Sequence, residues 1–193
     1  MSEIKIILVG ETNTGKTSII NSISGRKFEA HETSTISVSY ENKTLKVRDK
    51  EYNLAIWDTV GQEKFRSLTK LFLKDSKIVI FVYSITNKKS FKEINFWYET
   101  VKNNLGDKII FGLAGNKKDL FQEEEVTEEE GEEKAKEIGA IFKLTSAKTG
   151  IGIQDFFQTL LEEYVKQKGD FNDNDKGSKL TNAKKKNKKK CQC

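Results

Sequence analysis

The chain has 193 residues, of which 36% are hydrophobic and 33% are charged, enough for one ordinary domain with a core and a tail. No apolar run approaches the roughly 18–20 residues that a membrane-spanning helix needs, and the first residues lack the apolar stretch of a signal peptide. We therefore expect a protein that is made and kept in the cytosol.

The net charge of +5 lies in the C-terminal part of the chain. Eight lysines and three aspartates lie between Gly169 and Cys193, whereas the rest has 26 basic and 26 acidic residues. A neutral body with a basic tail favours an electrostatic tether over a basic nucleic-acid-binding face, so we expect no nucleic-acid partner. The two cysteines, Cys191 and Cys193, cannot staple a core, and zinc would need two ligands besides them.

Strand and helix patterns alternate along the chain. Short apolar runs predict strands at Ile4–Val9, Ile78–Tyr83 and Ile109–Ala114. Strands are also predicted at 36–47 and 51–57, joined by the polar turn Arg48-Asp49-Lys50, and at Ile141–Leu144. Apolar residues at steps of three and four predict helices over Phe91–Leu105 and Ile153–Val165. A helix is also predicted through about Ser24, and another runs from the capping box of Thr127 and Glu130 through about Ile138. This order predicts a doubly wound α/β domain over 1–168 and a tail over 169–193, disordered from Phe171 to Lys190.

A phosphate-binding motif follows the first strand. Gly10 and Gly15-Lys16-Thr17 have P-loop spacing, with a strand before and a helix after. Backbone N–H groups of such a loop cradle phosphates, the lysine meets the β- and γ-phosphates, and the threonine hydroxyl can bind Mg²⁺. The other phosphate-binding candidates are the neighbouring residues Thr12, Asn13, Thr14 and Ser18. A chance glycine turn is the alternative, and the motif does not separate ATP from GTP.

A base-recognition motif, Asn116-Lys117-Lys118-Asp119, follows the strand ending near Ala114. A carboxylate at Asp119 can accept hydrogen bonds from guanine N1–H and the 2-amino group. Adenine offers no such pair, so the site would select against ATP. Alone the tetrapeptide is weak evidence, since polar turns are common; its place at a strand end strengthens it.

From about Ile4 to Val165 the chain resembles a Ras-superfamily GTPase and is most similar to the Rab family. The motifs Trp57–Glu63 and Thr145–Lys148 stand in that family's order. The resemblance implies a P-loop GTPase fold, with a mostly parallel six-stranded sheet, one antiparallel edge strand and about five helices. It also implies a guanine pocket made by Asn116, Lys117, Asp119, Ser146, Ala147 and Lys148, with the Ala147 N–H facing the guanine oxygen. Phe28 would pack on the base; the alternative is an ordinary core phenylalanine.

The resemblance further implies slow GTP hydrolysis. Thr17 and Thr35 would bind Mg²⁺ directly and Asp58 through a water, while Lys16, Gly61 and Gln62 would be catalytic. Loss of the γ-phosphate would release Thr35 and Gly61, which makes the protein a GTP/GDP switch. No arginine is obviously placed to act in cis, so we expect a GTPase-activating protein. An exchange factor, a GDP-dissociation inhibitor and effectors are the other expected partners.

Several segments are Rab-like, namely Ile36–Tyr40, Lys64–Thr69 and Phe81–Thr86, and they imply a role in vesicle trafficking. The chain departs from the family at Ser37, Ser84 and Leu71–Lys74, positions that bear on effector choice and not on hydrolysis. Tyr40, Trp57 and Phe72 correspond to the aromatic surface that Rab effectors contact. Partial core burial is the alternative for these three.

The C-terminal tail resembles a lipidation signal. Six lysines between Lys184 and Lys190 precede Cys191-Gln192-Cys193, an ending like the one on which Rab proteins receive two geranylgeranyl chains. It implies a chain that cycles from the cytoplasm to the cytosolic face of an intracellular or plasma membrane. A solvated tail or a nuclear address is the alternative.

Three other functions fit parts of the sequence. A P-loop kinase would need an acceptor site and a lid, commonly rich in arginine, yet no arginine follows Arg66. A pseudo-GTPase would bind nucleotide without turnover, against which the intact Lys16, Thr17, Thr35 and Gln62 argue. A nucleic-acid-binding tail predicts that deleting residues 184–190 abolishes RNA association.

Overall fold

The computed structural model describes residues 3–29, 39–59, 72–105 and 108–169. The strands are β1 (Ile4–Val9), β2 (Ser39–Val47), β3 (Lys50–Asp58), β4 (Ile78–Ser84), β5 (Ile110–Asn116) and β6 (Ala140–Leu144). The helices in this part of the chain are α1 (Lys16–Ile23), α2 (Lys88–Lys92), α3 (Ile94–Lys102), α4 (Glu128–Ile138) and α5 (Ile153–Gln167), with a 3-10 helix at Lys118–Glu123.

The six strands form one sheet in the order β2-β3-β1-β4-β5-β6. Only the β2–β3 pairing at the edge is antiparallel; β1 pairs in parallel with β3 and β4, and β5 with β4 and β6. Every residue of β4 is buried, as a central parallel strand covered on both faces requires. The predicted fold is therefore confirmed.

Alternating side chains of β1 divide the core into two layers. Ile6 and Leu8 pack on one face with α1 and α5, whereas Ile7 and Val9 pack on the other with α3 and α4. Because the carboxyl ends of parallel strands meet at one edge of the sheet, the loops after β1, β3, β5 and β6 converge there. All predicted nucleotide and Mg²⁺ contacts in the described residues, apart from Phe28, lie at the last residue of these strands, in the loops after them or at the start of α1.

Several element boundaries differ from the sequence-based expectation. The helix predicted over Phe91–Leu105 is divided at Glu93, whose ψ of −10° interrupts the regular helical backbone, and it ends before Leu105. Strand β5 extends to Asn116, because Asn116 still pairs with Ser84 of β4. Lys50 belongs to β3, so the hairpin turn is tighter than predicted and places Arg48 at a left-handed φ of 53°.

The capping box predicted before α4 is confirmed. The Thr127 hydroxyl accepts from the backbone N–H of Glu130, whose carboxylate accepts in return from the Thr127 N–H. Within the described ranges, no helix has both the length and the apolar composition to cross a membrane.

Candidate functional site

The loop between β1 and α1 is shaped by two glycines with positive φ. At Gly10 (φ 150°) an added Cβ would lie 2.2 Å from the carbonyl oxygen of Val82, and at Gly15 (φ 90°) it would lie 2.3 Å from Nδ2 of Asn116. Real Cβ atoms do not approach other atoms so closely, so both positions require glycine. The other predicted phosphate ligands, Thr12, Asn13, Thr14 and Ser18, lie on this loop or at the start of α1.

Lys16 lies inside this loop. Its side chain is 6% exposed, and Nζ donates to the carbonyl oxygens of Gly10 (3.0 Å) and Glu11 (2.9 Å). The Glu11 carbonyl also accepts from the Thr14 hydroxyl at 2.9 Å. Burial lowers the pKa of Lys16 to about 8, although the carboxylates of Asp58 and Glu11 favour the charged form. A buried cation held mainly by carbonyl oxygens is suited to receive an anionic phosphate.

Thr17 and Asp58 bring a hydroxyl and a carboxylate together. Thr17 Oγ1 donates to Asp58 Oδ2 at 2.7 Å, although 41 residues separate them. Asp58 is buried at the end of β3, and the next residue fixes that end, because the Thr59 hydroxyl donates to the Leu8 carbonyl at 2.6 Å. Hard oxygen donors of this kind suit Mg²⁺, which takes one or two protein oxygens and completes its shell with phosphate and water. The residues present therefore fit a magnesium ion.

Asn116 joins the phosphate loop to the loop after β6. Its Nδ2 donates to the Thr14 carbonyl at 2.9 Å, and its Oδ1 accepts from the Thr145 hydroxyl (3.3 Å) and the Ala147 N–H (3.2 Å). The contact of that N–H with the guanine oxygen, which the resemblance implies, stays a prediction. Asn116 is 1% exposed, so its main contacts are with protein.

Asp119 is the carboxylate at the centre of the predicted guanine pocket. The Ser146 hydroxyl donates to its Oδ1 at 2.6 Å, and Lys148 Nζ lies 4.0 Å from its Oδ2. Lys117 adopts a left-handed backbone, with φ of 70°, and burial lowers the pKa of its ammonium, an effect that Asp119 opposes. The predicted base residues are thus brought together, and Ser146 holds the carboxylate in place.

The sequence model of the Ras family matches residues 5–166, which is most of the chain and all of the described site. The chain belongs to the Ras family. It is therefore a small GTPase that binds GTP and GDP, generally with Mg²⁺, and acts as a hydrolase and molecular switch.

Tyr40, Trp57 and Phe72 of this small GTPase form one aromatic surface. Tyr40 stacks on Trp57 with ring centroids 5.3 Å apart, and Trp57 contacts Phe72 at 6.1 Å. Tyr40 is 55% exposed, while the other two rings are half-buried against the core. Partial core burial therefore describes Trp57 and Phe72, while contact of this surface with effectors stays a prediction.

Lys5 is a neighbour of this surface that sequence patterns did not reveal. Its Nζ lies 4.4 Å from the Trp57 ring centroid and donates to the Lys74 carbonyl at 2.9 Å. Burial lowers the pKa of Lys5, and the nearby Asp75 carboxylate opposes the shift. No spacing rule relates a lysine on β1 to a tryptophan on β3; only the parallel register brings them together.

Phe28 is not a core residue, since it is 41% exposed. This removes the alternative raised from the sequence and leaves its ring free to cover a ligand. The remaining predicted site residues, Thr35, Gly61, Gln62, Cys191 and Cys193, lie outside the described residues, as do the predicted start of β2 and the predicted disorder over 171–190.

Proposed function

We propose that this GTPase is of the Rab type and recruits effectors to membranes in vesicle trafficking. The aromatic surface of Tyr40, Trp57 and Phe72 is the observation that most supports the proposal, because it joins β2 and β3 in one aromatic cluster in which Tyr40 is exposed. Rab-like segments of the sequence and the Cys191-Gln192-Cys193 ending also support it.

The aromatic surface lies where a γ-phosphate could control it. Trp57 directly precedes Asp58, whose carboxylate meets the Thr17 hydroxyl, and Tyr40 follows Thr35 by five residues. In the proposed cycle Thr35 and Gly61 are held in place only while the γ-phosphate is bound, and hydrolysis releases them. Effectors therefore distinguish the GTP form from the GDP form. Thr17, Thr35 and Asp58 would hold Mg²⁺, which would supply positive charge to the phosphates.

The described nucleotide pocket supports guanine as the base. Asp119, held by Ser146, would accept from guanine N1–H and the 2-amino group, and Lys117 and Lys148 would line the pocket. Phe28, whose ring is exposed, would cover the base. Lys16 would exchange its contacts with the loop carbonyls for contacts with phosphate oxygens.

Hydrolysis is proposed to be slow without a partner. Gln62 would orient the attacking water, while the transition-state charge calls for a cation such as an arginine. The last arginine of the sequence is Arg66, and neither described arginine, Arg26 or Arg48, lies in the phosphate loop. A GTPase-activating protein would supply the missing cation, and an exchange factor would reload GTP.

The tail is proposed to anchor the protein. Six lysines between Lys184 and Lys190 would contribute at most about 6 kcal/mol on an anionic membrane, at about 1 kcal/mol each. That attraction is weak beside two lipid chains, which give stable attachment where one is marginal. A GDP-dissociation inhibitor would extract the lipidated, GDP-bound form.

Intact mass and vesicle flotation test this proposal. The full chain, incubated with geranylgeranyl diphosphate and a eukaryotic cell extract, should gain two lipid chains, the Cys191→Ser and Cys193→Ser variants one each, and the double variant none. Only the lipidated chain should float with phosphatidylserine vesicles in 0.15 M salt. A chain that gains no lipid, or floats equally well without it, would contradict the membrane role.

Cargo transport tests the trafficking role separately. Cells that express Gln62→Leu, which is expected to stay in the GTP form, should show altered delivery of a secreted or endocytosed reporter. The same variant with Trp57→Ala and Phe72→Ala should lose the effect, because effectors would no longer bind the aromatic surface. Unaltered delivery in both cases would refute the trafficking role while leaving the GTPase assignment intact.

A further inference from the structure

Arg26 connects two parts of the chain on either side of residues 30–38. Its Nη1 donates to Asn21 Oδ1 on α1 at 3.0 Å, and its Nη2 lies 2.5 Å from Glu41 Oε1 on β2. Its backbone N–H donates to the Asn21 carbonyl at 2.9 Å. These three residues, Asn21, Arg26 and Glu41, are called the Arg26 clasp below.

Among the described residues, few other contacts fix the position of the segment between α1 and residue 30. Residues 25–29 are all exposed, and Gly25, with φ of 80°, ends the helical region with open space around it. Neither Lys27 nor Phe28 makes a side-chain hydrogen bond, ion pair or ring contact with another described residue. Among the described residues, the side-chain contacts that fix this segment are therefore those of Arg26.

We propose that the Arg26 clasp positions Phe28 over the guanine base and thereby slows nucleotide dissociation. The inference rests on the proposed role of Phe28 as the residue that covers the base. Arg26 is a positioning residue and not a ligand, since its guanidinium is directed to Asn21 and Glu41. A nucleotide whose base is stacked under a fixed ring can dissociate only when that ring moves. A more mobile ring therefore gives faster dissociation.

The two charges of the clasp allow a sharp test. If Arg26 and Glu41 acted only through their charges on the anionic nucleotide, removing the negative charge of Glu41 would slow nucleotide dissociation or leave it unchanged. The clasp predicts faster dissociation, because Arg26 loses its partner on β2. Lys27 provides a matched control for Arg26, since it is the adjacent exposed cation and belongs to no described contact.

The measurement is the release of fluorescent GDP from the full chain, chased with excess GDP at low ionic strength. Arg26→Gln and Glu41→Gln should each raise the rate by about two- to fivefold, the range expected for a partly exposed ion pair, and Lys27→Gln should change it little. The double variant Arg26→Glu with Glu41→Arg should return most of the way to the wild-type rate. In 1 M salt the effect of the single variants should shrink.

Measurements on the Phe28→Ala variant show whether the clasp acts through Phe28. Phe28→Ala should release GDP faster by itself, and adding Glu41→Gln should then have no further effect. Unchanged or slower release from Glu41→Gln, no recovery in the charge-swapped variant, or an undiminished Glu41→Gln effect without Phe28 would each overturn the clasp. If the wild-type chain retained adenine nucleotide as well as GDP, the guanine assignment would fail and the clasp with it.

Discussion

The buried ammonium of Lys16 makes the stability of the nucleotide-free chain depend on pH. Its side chain is 6% exposed, and burial lowers its pKa from 10.5 to about 8. Between these values the unfolded chain binds more protons than the folded chain, so the free energy of unfolding rises with pH. The cost of the buried charge is fully present below about pH 8 and disappears toward pH 10.5. It amounts to about 3 kcal/mol, at 1.36 kcal/mol for each pKa unit.

Urea unfolding of the nucleotide-free chain, followed by tryptophan fluorescence between pH 7 and 10, measures this dependence. Lys16→Met is the control, because it keeps the length of the side chain and removes the titrating group. Wild type should gain up to about 3 kcal/mol relative to Lys16→Met over this range. Lys5 and Lys117, whose pKa values burial also lowers, are present in both proteins, so their contributions cancel. If the free energy of unfolding changed with pH in the same way in wild type and Lys16→Met, the reasoning would be refuted.

The same unfolding measurement is then repeated with GDP bound to both proteins. A phosphate beside Lys16 raises the pKa of the ammonium again, so the loaded protein keeps its proton through pH 8–9. The stability gain of wild type over Lys16→Met should then vanish, and the affinity for GDP should fall above about pH 8. A loaded protein with an unchanged pH slope would show that phosphates do not lie against Lys16.

Four further substitutions test separate parts of the site. Asp119→Asn should lower the preference for GTP over xanthosine triphosphate by at least about 100-fold in competition binding, because the carboxylate that accepts from guanine is gone. Asn116→Ala removes three protein hydrogen bonds of about 1 kcal/mol each and should speed fluorescent GDP release by about 100-fold. Gly10→Ala should cost about 3–5 kcal/mol in thermal unfolding, from the clash with Val82 and the positive φ. Thr17→Ala should need a higher Mg²⁺ concentration than wild type to retain GDP in a chelator titration, because one hydroxyl that would hold the ion is gone.

Local patterns predicted the parts of the site that are close in sequence. Gly10, Gly15, Lys16 and Thr17 lie within one loop and the turn that follows it, so spacing alone specifies where the lysine and the hydroxyl lie. Continuous apolar runs predicted the buried parallel strands β1, β4 and β5, because a strand covered on both faces needs continuous apolar sequence. The capping box of Thr127 and Glu130 was readable for the same reason, since its two partners are only three residues apart.

Contacts between residues distant in sequence could not be predicted from local patterns. Tyr40 meets Trp57 because the β2–β3 register pairs them, and that register depends on the tight turn at Arg48. Arg26 is exposed and Glu41 is half-buried, 15 residues along the chain, and no spacing rule connects a residue after a helix to one on a strand. The exposure of Phe28 likewise depends on the path of residues 25–29, which carry no apolar period.

Asn116 explains why two motifs about 100 residues apart act as one site. Its side chain is the direct link between the Thr14 carbonyl of the phosphate loop and the Thr145 and Ala147 donors beside the base pocket. The link is possible only because Gly15 has no side chain, since a Cβ there would lie 2.3 Å from Asn116 Nδ2. Gly15 is therefore required twice, by the phosphate loop for its φ of 90° and by the base motif for room. Any substitution at Gly15 should weaken base and phosphate binding together, because the amide that couples the loops would be displaced.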